Sequence, residues 1–270
     1  MLPTPVEKKP GVTHPNHTAP PAVRRAASKI LPQVARRLAR QYGSAGLGNK
    51  RNPLDELVYI QLSIRTRESA YQRTYLALRR LVGGAWGRLL ELPNERAIAV
   101  LNDGGMARIK VVRLRGMFEA IRDNFGAVSL ASLRHMSDSD AELFLRSLPG
   151  VGPKAARCVL LYSLGRDVFP VDSHCRRVLG RLGFLPVGTD AKASHDLLQS
   201  IVPKGIRRSL HVNLIHHGRS VCVTPRPHCG RCVLLDICAT GRGRVNSDIQ
   251  RSGNSNRPIT SPKQMGILRA

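Results

Sequence analysis

Four of the six cysteines, Cys222, Cys229, Cys232 and Cys238, lie within 17 residues in the order C-x6-C-x2-C-x5-C. A loop that gathers four thiols must either pair its sulfurs or close around a metal centre. The first 22 residues hold six prolines and no apolar stretch of the kind a secretory leader needs. A reducing compartment, and ligation rather than disulfides, is therefore expected. Zinc ribbons usually pair two C-x2-C knuckles a dozen or more residues apart. Here there is one knuckle in one compact loop, and four such thiolates suit a cubane iron–sulfur cluster, with zinc as the alternative. Cys158 and Cys175 stand outside the set and are expected to pack as small apolar residues.

The partner is suggested by charge. With 43 Lys and Arg against 18 Asp and Glu, the net charge is +25. Such a field attracts polyanions, of which duplex nucleic acid is the commonest in cells. A ribosomal or histone-like protein would be as basic, so charge alone leaves an enzyme and a structural protein level. The hydrophobic content of 42% argues that most of the chain folds. No apolar run approaches the ~18–20 residues of a membrane span. A monomer, cytoplasmic and nucleoid-associated in a bacterium, or nuclear or organellar elsewhere, is the expectation.

Hydrophobic spacing predicts an all-α chain. Ile30, Leu31, Val34, Ala35 and Leu38 recur as on one face of a helix. Residues 54–64 are almost wholly apolar, as in a central buried helix, while 70–81 and 107–124 alternate basic and apolar residues at amphipathic spacing. Ser137 or Asp138 can cap a helix through Ser147, with Glu142 loosely placed for a capping box. Strand signals are weak apart from Val168-Phe169-Pro170-Val171. Residues 1–22 read as a disordered arm. From Ala239 onward the chain is rich in Ser, Asn, Gly and Arg, with six basic residues and one acid, and reads as unstructured.

Leu148-Pro149-Gly150-Val151-Gly152-Pro153-Lys154 punctuates this pattern. Pro153 suits the first position of a helix, and the glycines let a backbone approach closely, so the turn can seat a phosphate. An ordinary αα-hairpin would look similar. Lys154 falls in the first helical turn, where the macrodipole disfavours an ammonium and favours the neutral amine a nucleophile needs. A phosphate-contacting lysine is the plainer role. Asp172, ahead of the helical pattern from Ser173 to Gly183, is in the first instance an N-cap. It can also be a catalytic carboxylate if its second oxygen faces a cleft.

Taken with Leu214-Ile215-His216-His217-Gly218-Arg219, these motifs resemble the endonuclease III family of helix-hairpin-helix DNA glycosylases over roughly residues 25–240. The resemblance implies two α-helical domains flanking a DNA cleft: a six-helix barrel at 56–166, and a [4Fe-4S] domain from 23–55 and 167–240, followed by a basic tail at 241–270. It implies that Lys154 attacks C1′ of a damaged nucleotide, that Asp172 assists base departure, and that β-elimination then nicks the strand. Relatives that only remove bases lack this lysine. Gly150, Val151, Gly152, Arg65, Met106 and His174 would contact double-stranded DNA bearing a damaged base or abasic site.

Departures from the family pattern bear on specificity. Leu62-Ser63-Ile64-Arg65-Thr66-Arg67-Glu68 aligns with a stretch that normally reads S-A-Q-x-T-D, so Arg65 replaces the glutamine that fills the hole left by a flipped base. Met106, after Gly104-Gly105, falls where the family places an apolar wedge. The stretch Lys154 to Cys158, with Phe169-Pro170-Val171-Asp172 and Arg181-Leu182-Gly183, is also similar to the plant 5-methylcytosine glycosylases. The same chemistry on an oxidised purine or modified cytosine is therefore one rival, and a noncatalytic DNA-binding module is another.

Overall fold

A computed structural model describes residues 19–43, 46–186 and 188–251. The described residues form helices joined by 3-10 turns and loops, with no strand among them. In chain order the helices are α1 (Pro21–Tyr42), α2 (Pro53–Ser63), α3 (Glu68–Leu81), α4 (Asn94–Leu101), α5 (Ala107–Phe125), α6 (Asp138–Ser147), α7 (Pro153–Tyr162), α8 (Ser173–Arg181), α9 (Ala191–Ile201), α10 (Arg207–Ser220) and α11 (Ala239–Arg251). The expected strand stretch at 168–171 is extended backbone without a partner strand.

Buried side chains fall into two clusters. One draws on α2 to α7 and is centred on Leu57, Leu78, Leu89, Leu114, Met117 and Phe118, all shut off from solvent. The other joins α1 to α8, α9 and α10 through Leu31, Leu38, Phe169, Leu179, Phe184 and Leu214. The chain crosses from the first to the second between Val168 and Phe169. Each fully buried leucine contributes roughly 2–3 kcal/mol.

Helix α2 runs through the first cluster, with only Asp55 and Ser63 of its residues not buried. Asn52 starts it by accepting hydrogen bonds from the N–H groups of Leu54 and Asp55, and Pro53 occupies the first helical position. Gln61 donates to the Gly150 carbonyl (3.1 Å) and so fastens the hairpin turn to this helix. In α6, Ser137 caps and exchanges hydrogen bonds with Asp140, the residue at the capping-box position. Glu142 instead turns inward to Arg157 at 3.1 Å.

One expectation fails here. The chain is helical, not unstructured, from Ala239 to Arg251. This helix is polar and has little apolar face, so composition hides it. It is held from outside: Thr240 Oγ1 donates to the Arg181 carbonyl (2.9 Å), and the Arg242 guanidinium bonds the Asp236 carbonyl. Residues 252–270, and the first 18 of the proline-rich arm, lie outside the described residues.

Candidate active site and thiol pocket

Two helix N-termini meet at a cavity of about 320 Å³ between the two clusters. Lys154, in the first turn of α7, and Asp172, the N-cap of α8, both line it, as does His174. Tyr59, Tyr71, Tyr162, His211 and Arg219 form much of the remaining wall.

The hairpin positions Lys154. Gly150 has φ +76°, and an added Cβ would press on Arg113 Cδ at 3.2 Å, so glycine is required there. Val151 is buried, while Gly152 has open space at its α-carbon, where a ligand backbone can come close. Asp172 Oδ1 accepts the Cys175 N–H at 2.7 Å, so the capping role is real, and the same carboxylate borders the cavity. His174 packs so tightly on α10 that a Cβ at Gly218 would meet its Nδ1 at 2.7 Å. This contact accounts for the glycine in the His216-His217-Gly218-Arg219 run.

The electrostatics correct one expectation. Burial works to lower the pKa of Lys154, but Cys158, Asp172 and Glu56 outweigh it, and the amine titrates above the ordinary lysine value. Burial pushes the Cys158 thiol up to about 12, so near neutral pH that sulfur is uncharged. Burial also works to raise Asp172, but His211, the Cys175 N–H and His174 overcome it, and the carboxylate titrates below the usual range. His211 is itself driven down to about 4 by burial, so near neutrality it is uncharged, while the Cys175 N–H bond persists.

Sequence reasoning did not single out Glu56, His211 or Tyr162. Glu56 is fully buried, bonds the Asn49 side chain (2.5 Å) and the Lys50 N–H (2.6 Å), and is raised by burial. An acid in the middle of an apolar helix was the available signal. Tyr162 bonds His211 Nδ1 at 2.5 Å, a pairing that only the fold makes visible.

Arg65 and Met106 lie outside the cavity lining. Arg65 is exposed, in the loop between α2 and α3, and Met106 is half-buried at the start of α5. Their φ angles are +50° and +54°, and no other described non-glycine residue has a positive φ. Strained backbone of this kind concentrates where side chains are aimed at a ligand.

The four clustered cysteines line a second pocket, walled by Val178, Leu182, Val221 and Leu234. Arg181 Nη1 donates to Cys222 Sγ (3.1 Å), the Leu234 N–H to Cys232 Sγ (3.4 Å) and the Gly241 N–H to Cys238 Sγ (3.3 Å). Donors aimed at sulfur stabilise thiolates and tune a centre they bind. No three His, Cys, Asp or Glu side chains among the described residues converge as ligands of a single ion must. The four cysteines nevertheless border one pocket. Cys158 and Cys175 are buried, as expected, but Cys158 also lines the Lys154 cavity.

No family model matches the chain. Endonuclease III of Escherichia coli strain K12 is 38% identical over 94 residues, 35% of this chain and 44% of that protein. Endonuclease III of Treponema pallidum is 29% identical over 188 residues, 70% of this chain and 84% of that protein. The chain spans about half the length of several curated relatives that it matches. A solved non-covalent endonuclease III–DNA complex superposes with a TM-score of 0.70 at 24% identity, covering 81% of this chain and 98% of that one. The fold is thus that of the helix-hairpin-helix glycosylases. No described helix is long and apolar enough to cross a membrane.

Proposed function

Because the chain belongs to the endonuclease III family, we propose that it is a bifunctional DNA glycosylase and abasic-site lyase of base excision repair. The observation that carries this reading is that Lys154 and Asp172, eighteen residues apart, border one cavity beside the hairpin turn. A noncatalytic DNA-binding module has no need of that juxtaposition.

In the proposed reaction, Lys154 Nζ gives up a proton and attacks C1′ of the target nucleotide. The C1′–N bond breaks and the base leaves with its electron pair, taking up a proton. Asp172 supports the positive charge that builds on the sugar and helps deprotonate the amine. The sugar ring opens to a Schiff base, which acidifies C2′; loss of that proton expels the 3′ phosphate, and hydrolysis of the imine returns the lysine. Near neutral pH the free enzyme holds the ammonium, so the proton must leave within the complex.

Gly150, Val151 and Gly152 would seat a backbone phosphate, Arg65 would fill the vacated position in the duplex, Met106 would wedge, and His174 would face the DNA. The partner is then double-stranded DNA with a damaged base or abasic site, bound by a monomer. The core at 56–166 and the segments 23–55 and 167–240 would be the two domains of the cleft. Arg65 in the glutamine position, and Cys158 on the cavity wall, favour a base other than an oxidised pyrimidine, such as a modified cytosine. The four thiols would hold a [4Fe-4S] cluster, which supplies a rigid scaffold and takes no part in the bond-breaking steps.

The test is incubation with a duplex carrying one abasic site, with and without borohydride, for wild type and Lys154→Ala. A covalent adduct and a nick from wild type alone support the lyase. Nicking by Lys154→Ala removes the assignment, and no adduct from cluster-loaded wild type leaves a binding protein or a base-removal-only enzyme.

A further inference from the structure

Lys110 is 5% exposed, lies in the second turn of α5, and pairs with no carboxylate among the described residues. Its ammonium has three N–H donors and bonds three oxygens: the Leu62 carbonyl (2.9 Å), the Thr66 hydroxyl (2.5 Å) and the Gly104 carbonyl (2.8 Å). Thr66 passes its own proton to the same Gly104 carbonyl at 2.6 Å. Gly104 admits this arrangement, since a Cβ there would meet Thr74 Cγ2 at 3.2 Å.

A buried cation without a counter-ion is costly, and an apolar side chain of similar length would pack there at lower cost. Burial lowers the pKa of this lysine, as that cost requires. What the cation achieves is geometric. Two of its acceptors, on Leu62 and Thr66, flank Arg65, and the third, on Gly104, stands two residues before Met106; these are the two described non-glycine residues of positive φ. The loops are 38 residues apart in sequence and meet at the Gly104 carbonyl, which accepts from both the Lys110 ammonium and the Thr66 hydroxyl; the ammonium alone also reaches back to Leu62.

We propose that Lys110 is a positioning residue that locks the 62–66 and 104–106 loops into one unit, so that Arg65 and Met106 enter the duplex together. This rests on the reading above that those two side chains penetrate DNA. It adds that their insertion is concerted, through a group that touches neither DNA nor the reacting atoms.

The experiment uses full-length protein and a duplex with 2-aminopurine opposite a tetrahydrofuran abasic analogue, whose fluorescence rises when the opposing base is unstacked. Arg65→Ala and Met106→Ala are expected to reduce the rise. Lys110→Met is expected to reduce it as far as the Arg65→Ala/Met106→Ala pair does, and to add less than about twofold when combined with that pair, since coupled residues are non-additive. The ratio of borohydride trapping on duplex to trapping on single-stranded abasic DNA should fall about tenfold, the scale of one charge-assisted hydrogen bond. A merely structural loss would lower both substrates alike and overturn the proposal. If Lys110→Met does not fold, Thr66→Val should show the same loss and Thr66→Ser should restore the signal. A folded Lys110→Met or Thr66→Val with the wild-type fluorescence rise overturns the concerted lock while leaving the insertion reading intact. Wild-type fluorescence from Arg65→Ala and Met106→Ala together overturns the insertion reading and the lock with it.

Discussion

The two pockets of this protein share a helix and differ in almost everything else. At the N-terminus of α8, Asp172 borders a cavity where an amine and carboxylates face one another. At its C-terminus, Arg181 reaches into an apolar pocket walled by thiols, bonding Cys222 Sγ and the Val223 carbonyl. The first pocket stores opposed charge where chemistry can use it. The second, lined largely by apolar side chains, turns N–H donors toward Cys222, Cys232 and Cys238. Nine residues connect them, and Arg177 adds a brace from the same helix to the Gly218 and Cys222 carbonyls. The cysteine loop thus acts as an anchor for the helix that presents Asp172.

The sharpest separation comes from Lys154→Ala. Adduct formation and nicking should fall by about a thousandfold or more, as for loss of a nucleophile. The ~400 nm absorbance of an iron–sulfur centre should remain. Loss of colour in this variant would mean that the pockets are not separable. Asp172→Asn follows in size: base removal should slow about 10²–10³-fold. Asparagine also caps helices, so the melting temperature should change by no more than ~1 kcal/mol would produce. A wild-type rate would reduce Asp172 to its capping role.

The legible parts of the molecule were those where one local pattern does one job. The apolar run at 54–62 could only be a buried helix, and the cysteine spacing could only be one loop. The lysine was found because Pro153 and the two glycines mark a helix start. Its raised pKa was not foreseen, because the effect of Cys158, one turn along the same helix, depends on how deeply the pair is buried, and Asp172 and Glu56 reach the site only through the fold. Helix α11 was missed because its support comes from Arg181 and Asp236 on other segments. Lys110 was passed over as one more basic residue on an amphipathic helix, and nothing in its neighbours hints that three oxygens surround it.

If the thiol loop anchors α8, removing it should be felt at the other pocket. Cys222→Ser should bleach the ~400 nm band and destabilise the fold by several kcal/mol, as loss of a structural metal centre does. Base removal should drop along with stability, while trapping on preformed abasic DNA, which needs Lys154 on α7, should drop less. Equal losses in both assays would mean that the loop supports the whole fold rather than one helix. A zinc-loaded, colourless wild type would remove the cluster.

The smallest effect separates the reaction cavity from the bulk of the fold by acid titration. Burial holds His211, on the cavity wall, and His195, buried on α9, each at about 4, below the ordinary value of 6.5. A depressed histidine pKa means that the unfolded chain binds the proton first, so stability is full above pH 6.5 and is lost as pH falls toward 4. For His211 the shift corresponds to about 3 kcal/mol at the low end of that window. His211→Gln should therefore flatten part of the acid decline in melting temperature, and His195→Gln should flatten a similar share. Only the first should also alter the rate of base removal near pH 7, because His211 alone of the two bonds Tyr162 within the cavity wall. Matching rate effects from both would show that acid sensitivity belongs to the fold as a whole, and that His211 has no particular tie to the chemistry.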